Sequence, residues 1–582
     1  MSEDSFRAGA SILGALALAD LETGLALEAG GWHGSLTDGL AALLSGATVP
    51  HPAVSAVAGG CLALATGVLG AAGLEGWARW AARRESPGTG SAAVPAGLVV
   101  TSLGTGRVVV GVPVDGRPPS RMMRAAAHER GKAPRVRLVA LPPEDSLVIV
   151  GSTGSGKTSG VAAPLVRDWG AQPAVVMSAN TDLLRQTIEE RRTIGEVAVY
   201  DPTGVSEEEC VGWSPLARAG TWKGAAQSAR GLARLSGTAG SGGGDRHWEI
   251  TAKQLLAPLM HAAAVCGLGM AEVMRWAQYR DAETPSWFLA AHEADVPTCD
   301  VLCWRRVSRD EDAAGHERDA AAKSLRELGR PGGKDARRAW DGLYSYVADR
   351  NGKHAESAWA TVATVLDAFD DDGVLDAADR PDSVSADWLL AGPRTLYIVG
   401  APSDQERLAP AFQGLIDEVL RDAERVGVRR GRTEDGDARL LVLHDESANI
   451  APIPELARRA STARGYGITL VSIFQGFPQI ESAYGRDAGT VFAQHAARLL
   501  LPGASDVDTL RAFSGPEGDG QVTTSSSTSS IDGRASSTEG QQWRPTLEVR
   551  ELRRMPRWTG LLLYGNLPAV RVRLRPPVGV TV

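Results

Sequence analysis

The sequence predicts an α/β protein whose main domain is a doubly wound, largely parallel sheet. Eight short apolar runs have the length and composition of strands that are buried on both faces of such a sheet. The runs are residues 147–150, 174–177, 197–200, 396–399, 440–443, 468–474, 499–501 and 561–564. Segments with helical spacing separate several of the runs, and this alternation is typical of α/β folds.

An all-helical insertion is predicted within the sheet. The strand signal fades between residues 211 and 390, where helical spacing prevails over residues 248–266, 313–328, 337–347 and 355–369. We therefore assign residues 98–210 and 391–582 to the main domain and residues 211–390 to an inserted all-α domain. Two low-complexity segments, residues 236–245 (Gly/Ser-rich) and 522–540 (Ser/Thr-rich), are predicted to be flexible surface loops.

The N-terminal region, residues 1–84, is predicted to anchor the chain in a membrane. Residues 52–74 contain no charged side chain. A helix of this length spans ~35 Å, which exceeds the ~30 Å hydrocarbon core of a bilayer. Tryptophan and arginine follow within residues 77–84, so the positive-inside rule places the bulk of the chain in the cytoplasm. A buried, alanine-rich core helix is the alternative.

A second apolar stretch, residues 8–19, is too short to span a bilayer alone. It predicts either the first helix of a membrane hairpin, with both chain ends inside, or an interfacial amphipathic helix. Residues 85–97 have the composition of a linker between the anchor and the main domain.

Composition and charge exclude several classes of protein. The hydrophobic share of 43% and the charged share of 22% are those of a folded protein. The net charge of −8 argues against a surface coated in basic DNA-binding residues, although basic loops inside a channel remain compatible with it. Five mostly isolated cysteines indicate free thiols in a reducing compartment, with no zinc site.

A phosphate-binding motif follows the first apolar run. Residues 151–158 read Gly-Ser-Thr-Gly-Ser-Gly-Lys-Thr and match G-x-x-x-x-G-K-[ST] in full. Glycines allow successive backbone N–H groups to turn toward phosphate oxygens at a helix N-terminus. Lys157 is predicted to contact the β- and γ-phosphates, and Thr158 to bind Mg²⁺. The predicted nucleotide-binding residues are Gly151, Thr153, Gly154, Ser155, Gly156, Lys157, Thr158 and Ser159. The motif therefore predicts ATP and Mg²⁺ as ligands, and a chance Gly/Ser loop is the alternative.

A pair of acids follows the apolar run at residues 440–443. Asp445 is predicted to hold the hydrated Mg²⁺ across from the phosphate-binding loop. Glu446, one residue further on, is predicted to polarise the attacking water as general base. Acids often end strands at a solvated edge, so this assignment depends on the pairing with the loop.

Two more polar residues are candidates for catalysis. Gln475 ends the run at residues 468–474, where an amide can reach the γ-phosphate or the water, and a plain strand-end glutamine is the alternative. Arg464 lies on the turn before that run, where an arginine can stabilise transition-state charge in a neighbouring subunit. Arg458 and Arg459, on the preceding helix, are the rival candidates, and a solvated surface charge is the alternative.

Three segments resemble one family, the conjugative coupling proteins of type IV secretion systems (TraG/TraD type). The first runs from Asp445-Glu-Ser-Ala-Asn449 through Ile-Pro454, the second is Ser461-Thr-Ala-Arg464-Gly-Tyr-Gly467, and the third begins at Gln475. Trp213-Ser-Pro-Leu216 is similar to the Trp-Asn-Pro-Leu of that family. Ser178-Ala-Asn-Thr-Asp182 departs from its usual Asp-x-Lys-Gly, so contacts from that loop are not carried over.

The resemblance implies a RecA-like P-loop NTPase domain that assembles as a homohexamer at the plasma membrane. It implies an ATPase that receives DNA, single-stranded and relaxase-bound, and pumps it to the channel proteins of the secretion system. By the resemblance, Gln475 matches the residue that acts as a sensor, and Arg464 matches the arginine that acts on a neighbouring subunit. The resemblance also implies that the helical insertion binds relaxase or adaptor proteins. Two alternatives stay open: an FtsK- or HerA-like translocase of double-stranded DNA, and a nucleotide-binding docking receptor for secreted proteins.

Overall fold

The described residues all lie in the C-terminal compact unit, Ser91–Val582. The computed structural model describes residues 98–100, 107–113, 138–236, 245–348, 352–380, 383–401, 404–430, 439–448, 451–529 and 535–575. The predicted membrane segments (8–19 and 52–74) and the linker (85–97) lie outside these residues, as does Asn449. Among the described helices, none combines the length and the apolar character needed to cross a membrane.

A large mixed sheet forms the core of the described residues. Its twelve strands, within the described ranges, run in the order β1-β3-β2-β14-β13-β10-β4-β9-β8-β5-β7-β6, and β11 pairs with β12 alone. The strands are β1 (Val99–Val100), β2 (Val109–Pro113), β3 (Leu138–Ala140), β4 (Leu147–Val150), β5 (Ala174–Ser178), β6 (Val197–Tyr200), β7 (Thr395–Val399), β8 (Leu440–His444), β9 (Ile468–Phe474), β10 (Ala497–Leu500), β11 (Asp519–Ser529), β12 (Ala535–Pro545), β13 (Thr559–Tyr564) and β14 (Val570–Arg573).

The strands divide into a parallel and an antiparallel half. From β10 to β6 every neighbouring pair is parallel. These strands are almost continuously apolar because both of their faces are covered, which is why the sequence predicts them well. From β13 to β1 the pairs are antiparallel. The α/β core is confirmed, but the prediction of a parallel strand at residues 561–564 is wrong: β13 runs antiparallel to β10.

Helices cover both faces of the sheet. In chain order they are α1 (Ala163–Asp168, preceded by a π-helical turn at Lys157–Ala162), α2 (Asp182–Ile194), α3 (Trp222–Ser236), α4 (Asp245–Val265), α5 (Met270–Gln278), α6 (Glu283–Glu293), α7 (Thr298–Arg309), α8 (Gly315–Glu327), α9 (Lys334–Ala348), α10 (Lys353–Leu366), α11 (Asp372–Asp379), α12 (Ala386–Leu390), α13 (Gln405–Arg430), α14 (Leu456–Thr462), α15 (Phe477–Tyr484), α16 (Ala488–Gln494), α17 (Val507–Ser514) and α18 (Val549–Arg553).

Alternate residues of each parallel strand enter two different cores. Leu147 and Ile149 pack with α1 and α2 on one face, whereas Val148 and Val150 belong to the core of the other face. That second core also contains α13 and most of the helices between β6 and β7. The helices of residues 211–390 therefore share a core with the sheet, and their division into a separate domain stays a prediction.

Trp213 joins this helical segment to the sheet. Its indole N–H donates to Glu418 Oε2 on α13 at 3.2 Å, and its ring edge would lie 2.5 Å from a side chain at Gly414. Any side chain at position 414 would displace the ring of Trp213, so close packing here requires a glycine opposite the tryptophan.

The Ser/Thr-rich segment is a β-hairpin and not the loop that its composition predicts. β11 and β12 pair antiparallel over eleven residues each, from Asp519↔Pro545 to Ser529↔Ala535. Serine and threonine tolerate strand geometry, and backbone hydrogen bonds can hold a polar hairpin without an apolar face. The Gly/Ser-rich segment lies mostly outside the described residues.

Candidate nucleotide site

The phosphate-binding loop leaves the carboxyl end of β4, between β9 and β10. The Gly151 N–H donates to the carbonyl of Phe474, the last residue of β9, at 3.1 Å. Gly154 and Gly156 have φ angles of 77° and 91°, a left-handed conformation that residues with a Cβ rarely adopt. The two glycines turn the loop tightly enough for Lys157 to begin the helical turn that continues into α1.

The predicted loop residues differ in exposure. Thr153 and Gly154 lie at the exposed rim, and Gly151 and Lys157 are buried. Half-buried positions lie between these extremes; they are Ser155, Gly156, Thr158 and Ser159. The loop therefore has an open rim above a buried lysine.

Lys157 is held inside its own loop. Its Nζ donates to the carbonyls of Gly151 at 2.8 Å and Ser152 at 3.0 Å. Burial lowers the pKa of Lys157, while the nearby charges of Asp445 and Glu446 raise it. A buried ammonium that donates to two carbonyls favours an incoming anion, because a phosphate brings the full negative charges that carbonyl oxygens do not carry.

Asp445 follows β8 and faces the loop. Its N–H donates to the carbonyl of Met177 on β5 at 2.8 Å, and its side chain, 1% exposed, accepts a hydrogen bond from Thr158 Oγ1 at 3.0 Å. Burial raises the pKa of Asp445 to about 6; the Thr158 hydrogen bond opposes this shift and the charge of Glu446 adds to it.

The donor set at this point fits Mg²⁺. Among the described residues Asp445 Oδ1 is buried without a hydrogen-bond partner, and its other oxygen adjoins the Thr158 hydroxyl. One or two protein oxygens, with water and phosphate oxygens, are the coordination that Mg²⁺ prefers. A cation at this place would also remove the cost of burying the Asp445 charge.

Glu446 has an uncommon backbone conformation. Its φ of 56° is left-handed, which costs roughly 1–2 kcal/mol for a residue with a Cβ. The turn is held by its neighbour Ser447, whose N–H donates to the Ile473 carbonyl at 2.9 Å and whose hydroxyl donates to the His444 carbonyl at 2.8 Å. Such strain, retained by surrounding hydrogen bonds, is typical of functional positions.

Gln475 follows β9, the strand that lies between β4 and β8. Its N–H donates to Gln479 Oε1 at 2.8 Å, which ties the strand end to α15. Parallel strands end at the same edge, so the loop, Gln475 and the two acids all lie along one edge of the sheet. The structure thus brings together most of the residues predicted from sequence.

Arg464 lies at the opposite edge. It precedes β9, whose seven residues separate it from Gln475 by roughly 23 Å at ~3.3 Å per residue. The side chain is 68% exposed and pairs with Glu144 at 3.2 Å and Asp145 at 3.7 Å, just before β4. Arg464 therefore does not reach the loop of its own chain.

The two rival arginines differ in burial. Arg459 is 3% exposed and forms an ion pair with Asp417 on α13, so it holds α14 against the core. Arg458 is exposed and pairs at 2.5 Å with Glu455, the residue before α14. A buried, paired Arg459 is not available to a neighbouring subunit.

Trp558 is a residue beside the loop that the sequence did not indicate. A side chain added at Gly156 or Gly160 would lie 3.1 Å or 3.0 Å from its Cζ3 atom. Trp558 is some 400 positions away in the chain, and only the antiparallel pairing of β13 with β10 brings it here. A local sequence pattern carries no signal for such a contact.

The divergent segment Ser178-Ala-Asn-Thr-Asp182 lies next to the acids. β5 pairs with β8 so that Met177 is opposite His444, and Asn180 Oδ1 accepts from the Asp182 N–H at 3.0 Å at the start of α2. The departure from the usual family motif therefore lies beside Asp445, at the edge that carries the candidate site.

Comparison with known proteins identifies the family of the chain. The fold is similar to the trigonal form of the bacterial conjugative coupling protein TrwBdeltaN70 in complex with sulphate (TM-score 0.50, 17% identity, 75% of this chain and 88% of that chain). Weaker similarities include plasmid coupling protein TrwB in complex with ADP and Mg²⁺ (TM-score 0.48, 18% identity, 75% and 87%) and VirB4 of Thermoanaerobacter pseudethanolicus (0.39, 14%, 81% and 96%). No curated protein sequence matches. Residues 138–574, about three-quarters of the chain, match the family described as type IV secretory system conjugative DNA transfer, and the chain therefore belongs to that family.

Proposed function

We propose that this chain is the ATP-driven coupling protein of a conjugative type IV secretion system. It recruits relaxase-bound DNA and pumps it to the membrane channel. Membership of the DNA-transfer family supports the transport role. The observation that supports ATP as the energy source is the hydrogen bond from Thr158 Oγ1 to Asp445 Oδ2, which joins the loop after β4 to the acid after β8 across the intervening strand β9.

The binding step uses the loop and the acid opposite it. Backbone N–H groups of the loop and the Lys157 ammonium hold the triphosphate of ATP, and the loop carbonyls that Lys157 now contacts give way to phosphate oxygens. Thr158 and Asp445 would hold Mg²⁺, which when bound neutralises charge on the phosphates. Asp445 must be ionised for this role, so binding carries a proton release below about pH 7.

The hydrolytic step uses two groups at the same edge. Glu446 is the general base that takes a proton from the attacking water, and its left-handed backbone lies just after the end of β8. Gln475, at the end of the strand between loop and acids, orients the water or senses the γ-phosphate. Half-burial of Glu446 leaves room for the water that it activates.

The position of Arg464 supports an assembly of several subunits. An exposed arginine at the edge remote from its own loop can stabilise transition-state charge only in a neighbouring subunit, as a ring arrangement allows. We propose a homohexamer, with single-stranded DNA in its channel and with relaxase or adaptor proteins meeting the helical segment of residues 211–390. The channel proteins of the secretion system are the further partners.

Residues 1–84 anchor the protein in the membrane. Their apolar content and the following arginines support an anchor in the plasma membrane with the ATPase in the cytoplasm. Anchoring would hold the ring beside the channel that receives the DNA.

The test is ATP turnover by the full chain in detergent or nanodiscs, with and without single-stranded DNA, for the wild type and Glu446→Gln. We expect DNA-stimulated turnover that falls by roughly 10²- to 10⁴-fold in the variant while nucleotide affinity is kept. The matched control is Glu481→Gln, the same change at an exposed acid on α15. Tight nucleotide binding with no turnover under any DNA condition would favour the docking receptor, and full activity of Glu446→Gln would remove Glu446 from the chemistry.

A further inference from the structure

An indole ring stands against the side of the phosphate-binding loop. Trp558 immediately precedes β13, whose first residues pair with the end of β10 (Leu561↔Leu500). The edge of its six-membered ring leaves little space at both glycines, because a Cβ added at Gly156 or Gly160 would lie 3.1 Å or 3.0 Å from Cζ3. The ring is half-buried, so part of it stays open beside the loop.

The backbone holds this ring in place at a conformational cost. Trp558 has a φ of 59°, a conformation that bulky L residues rarely adopt. Its carbonyl accepts a hydrogen bond from the Leu574 N–H at 2.8 Å, after β14. The left-handed backbone and the hydrogen bond to Leu574 together fix the direction from which the indole approaches the two glycines.

The order of the strands fixes which end of a nucleotide comes near Trp558. The strands run β13-β10-β4-β9-β8, and β4 carries the loop. Gln475 and Glu446 follow β9 and β8, so the γ-phosphate end points to that side. The ribose and base must then extend to the other side of the loop, where β10 and β13 lie and where Trp558 stands.

We propose that Trp558 is the platform on which the base of the bound nucleotide stacks. The inference rests on nucleotide binding at the loop, as proposed above, and adds how the site recognises the base. A π-face accepts any purine, so recognition by stacking does not select adenine by hydrogen bonds. The glycines at 156 and 160 then have a second role, because they let the ring approach the loop closely enough to meet the base.

The experiment separates base recognition from support of the loop. Dissociation constants of ATP, GTP and inorganic tripolyphosphate are measured with Mg²⁺ on the full chain, for the wild type, Trp558→Leu and Trp558→Phe. Leucine keeps an apolar filler without a π-face, and phenylalanine keeps an aromatic ring. The matched control is Trp388→Leu, a half-buried tryptophan at the opposite edge, whose indole donates to Glu196 at 3.0 Å.

We expect Trp558→Leu to weaken ATP and GTP by similar factors of about 5- to 100-fold. Tripolyphosphate should bind unchanged, and Trp558→Phe should recover most of the lost affinity. Equal weakening of nucleotides and tripolyphosphate would show that the ring only supports the loop, and unchanged affinities would remove it from the site; both results overturn the inference. A wild type that binds neither ATP nor tripolyphosphate would instead contradict the proposed function, and the inference with it.

Discussion

The buried carboxylate of Asp445 makes the stability of the protein depend on pH in a calculable way. Its pKa is about 6 in the folded chain against an ordinary value of 3.8. Between these values the folded state binds more protons than the unfolded state, so the stability falls as the pH rises from about 4 to about 6, and then stays level. Over the whole titration the free energy of unfolding falls by about 3 kcal/mol, at roughly 1.4 kcal/mol per pKa unit.

Asp445→Asn is the perturbation that isolates this effect. Asparagine has nearly the same shape and does not titrate, so the variant should lack this component of the pH dependence. Between about pH 5 and about pH 7.5 the free energy of unfolding of the wild type should fall by about 1.4 kcal/mol more than that of the variant. This is less than the full loss, because part of the titration takes place below about pH 5. At roughly 2.1 cal/mol/K per residue over the compact unit, this difference corresponds to a Tm shift of about 1–2 °C.

The assay is a set of thermal melts of both proteins across this pH range, in EDTA and without nucleotide. The quantity of interest is the difference between the two Tm values at each pH, since titrating groups that do not interact with Asp445 contribute equally to both proteins. As the pH rises, the Tm of the variant should increase relative to the Tm of the wild type. Parallel Tm curves, or a difference that favours the wild type at high pH, would refute the account of Asp445 as a carboxylate that is costly to ionise in this site.

Two further predictions concern the arginines of residues 458–464. Arg464→Ala should reduce ATP turnover by roughly 10³-fold or more. Mixing this variant with Lys157→Ala subunits should restore part of the activity, because each variant supplies the residue that the other lacks. Mixed rings that show no recovery would argue against action of Arg464 in a neighbouring subunit. Arg459→Ala should cost roughly 1.5–3 kcal/mol, because it removes the buried partner of Asp417 while the ion pair of Asp417 with Arg421 at 2.9 Å remains. Arg458→Ala on the same helix should cost under about 1 kcal/mol, and denaturant melts that show equal losses would contradict the assignment of Arg459 to the core.

Much of the fold could be predicted because the relevant signals are local. A strand buried on both faces is an unbroken apolar run, as in β4 and β9, and the phosphate-binding loop is eight consecutive residues. The orientation of β13 could not be predicted, because its apolar run is the same whether its neighbour is parallel or antiparallel. The hairpin of β11 and β12 was missed since a serine-rich strand has no apolar alternation to detect.

The residues of the candidate site also divide into those that local sequence predicts and those that it does not. Lys157, Thr158, Asp445 and Glu446 lie in motifs whose spacing to a strand end is encoded locally. Trp558 is brought to the loop by a strand on the antiparallel side of the sheet. Contacts of this type depend on the strand order, which no window of sequence contains.

The contact that Arg464 makes within its own chain is compatible with a role in a neighbouring subunit. The pair with Glu144 has a separation of 3.2 Å, but the arginine side chain is 68% exposed, and exposed ion pairs contribute only about 0–1 kcal/mol. In the proposed ring, a triphosphate from a neighbour would offer the arginine several negative charges, and charge-assisted contacts with a guanidinium are stronger than an exposed ion pair. We therefore propose that Arg464 would exchange Glu144 for the nucleotide when a neighbouring subunit presents one.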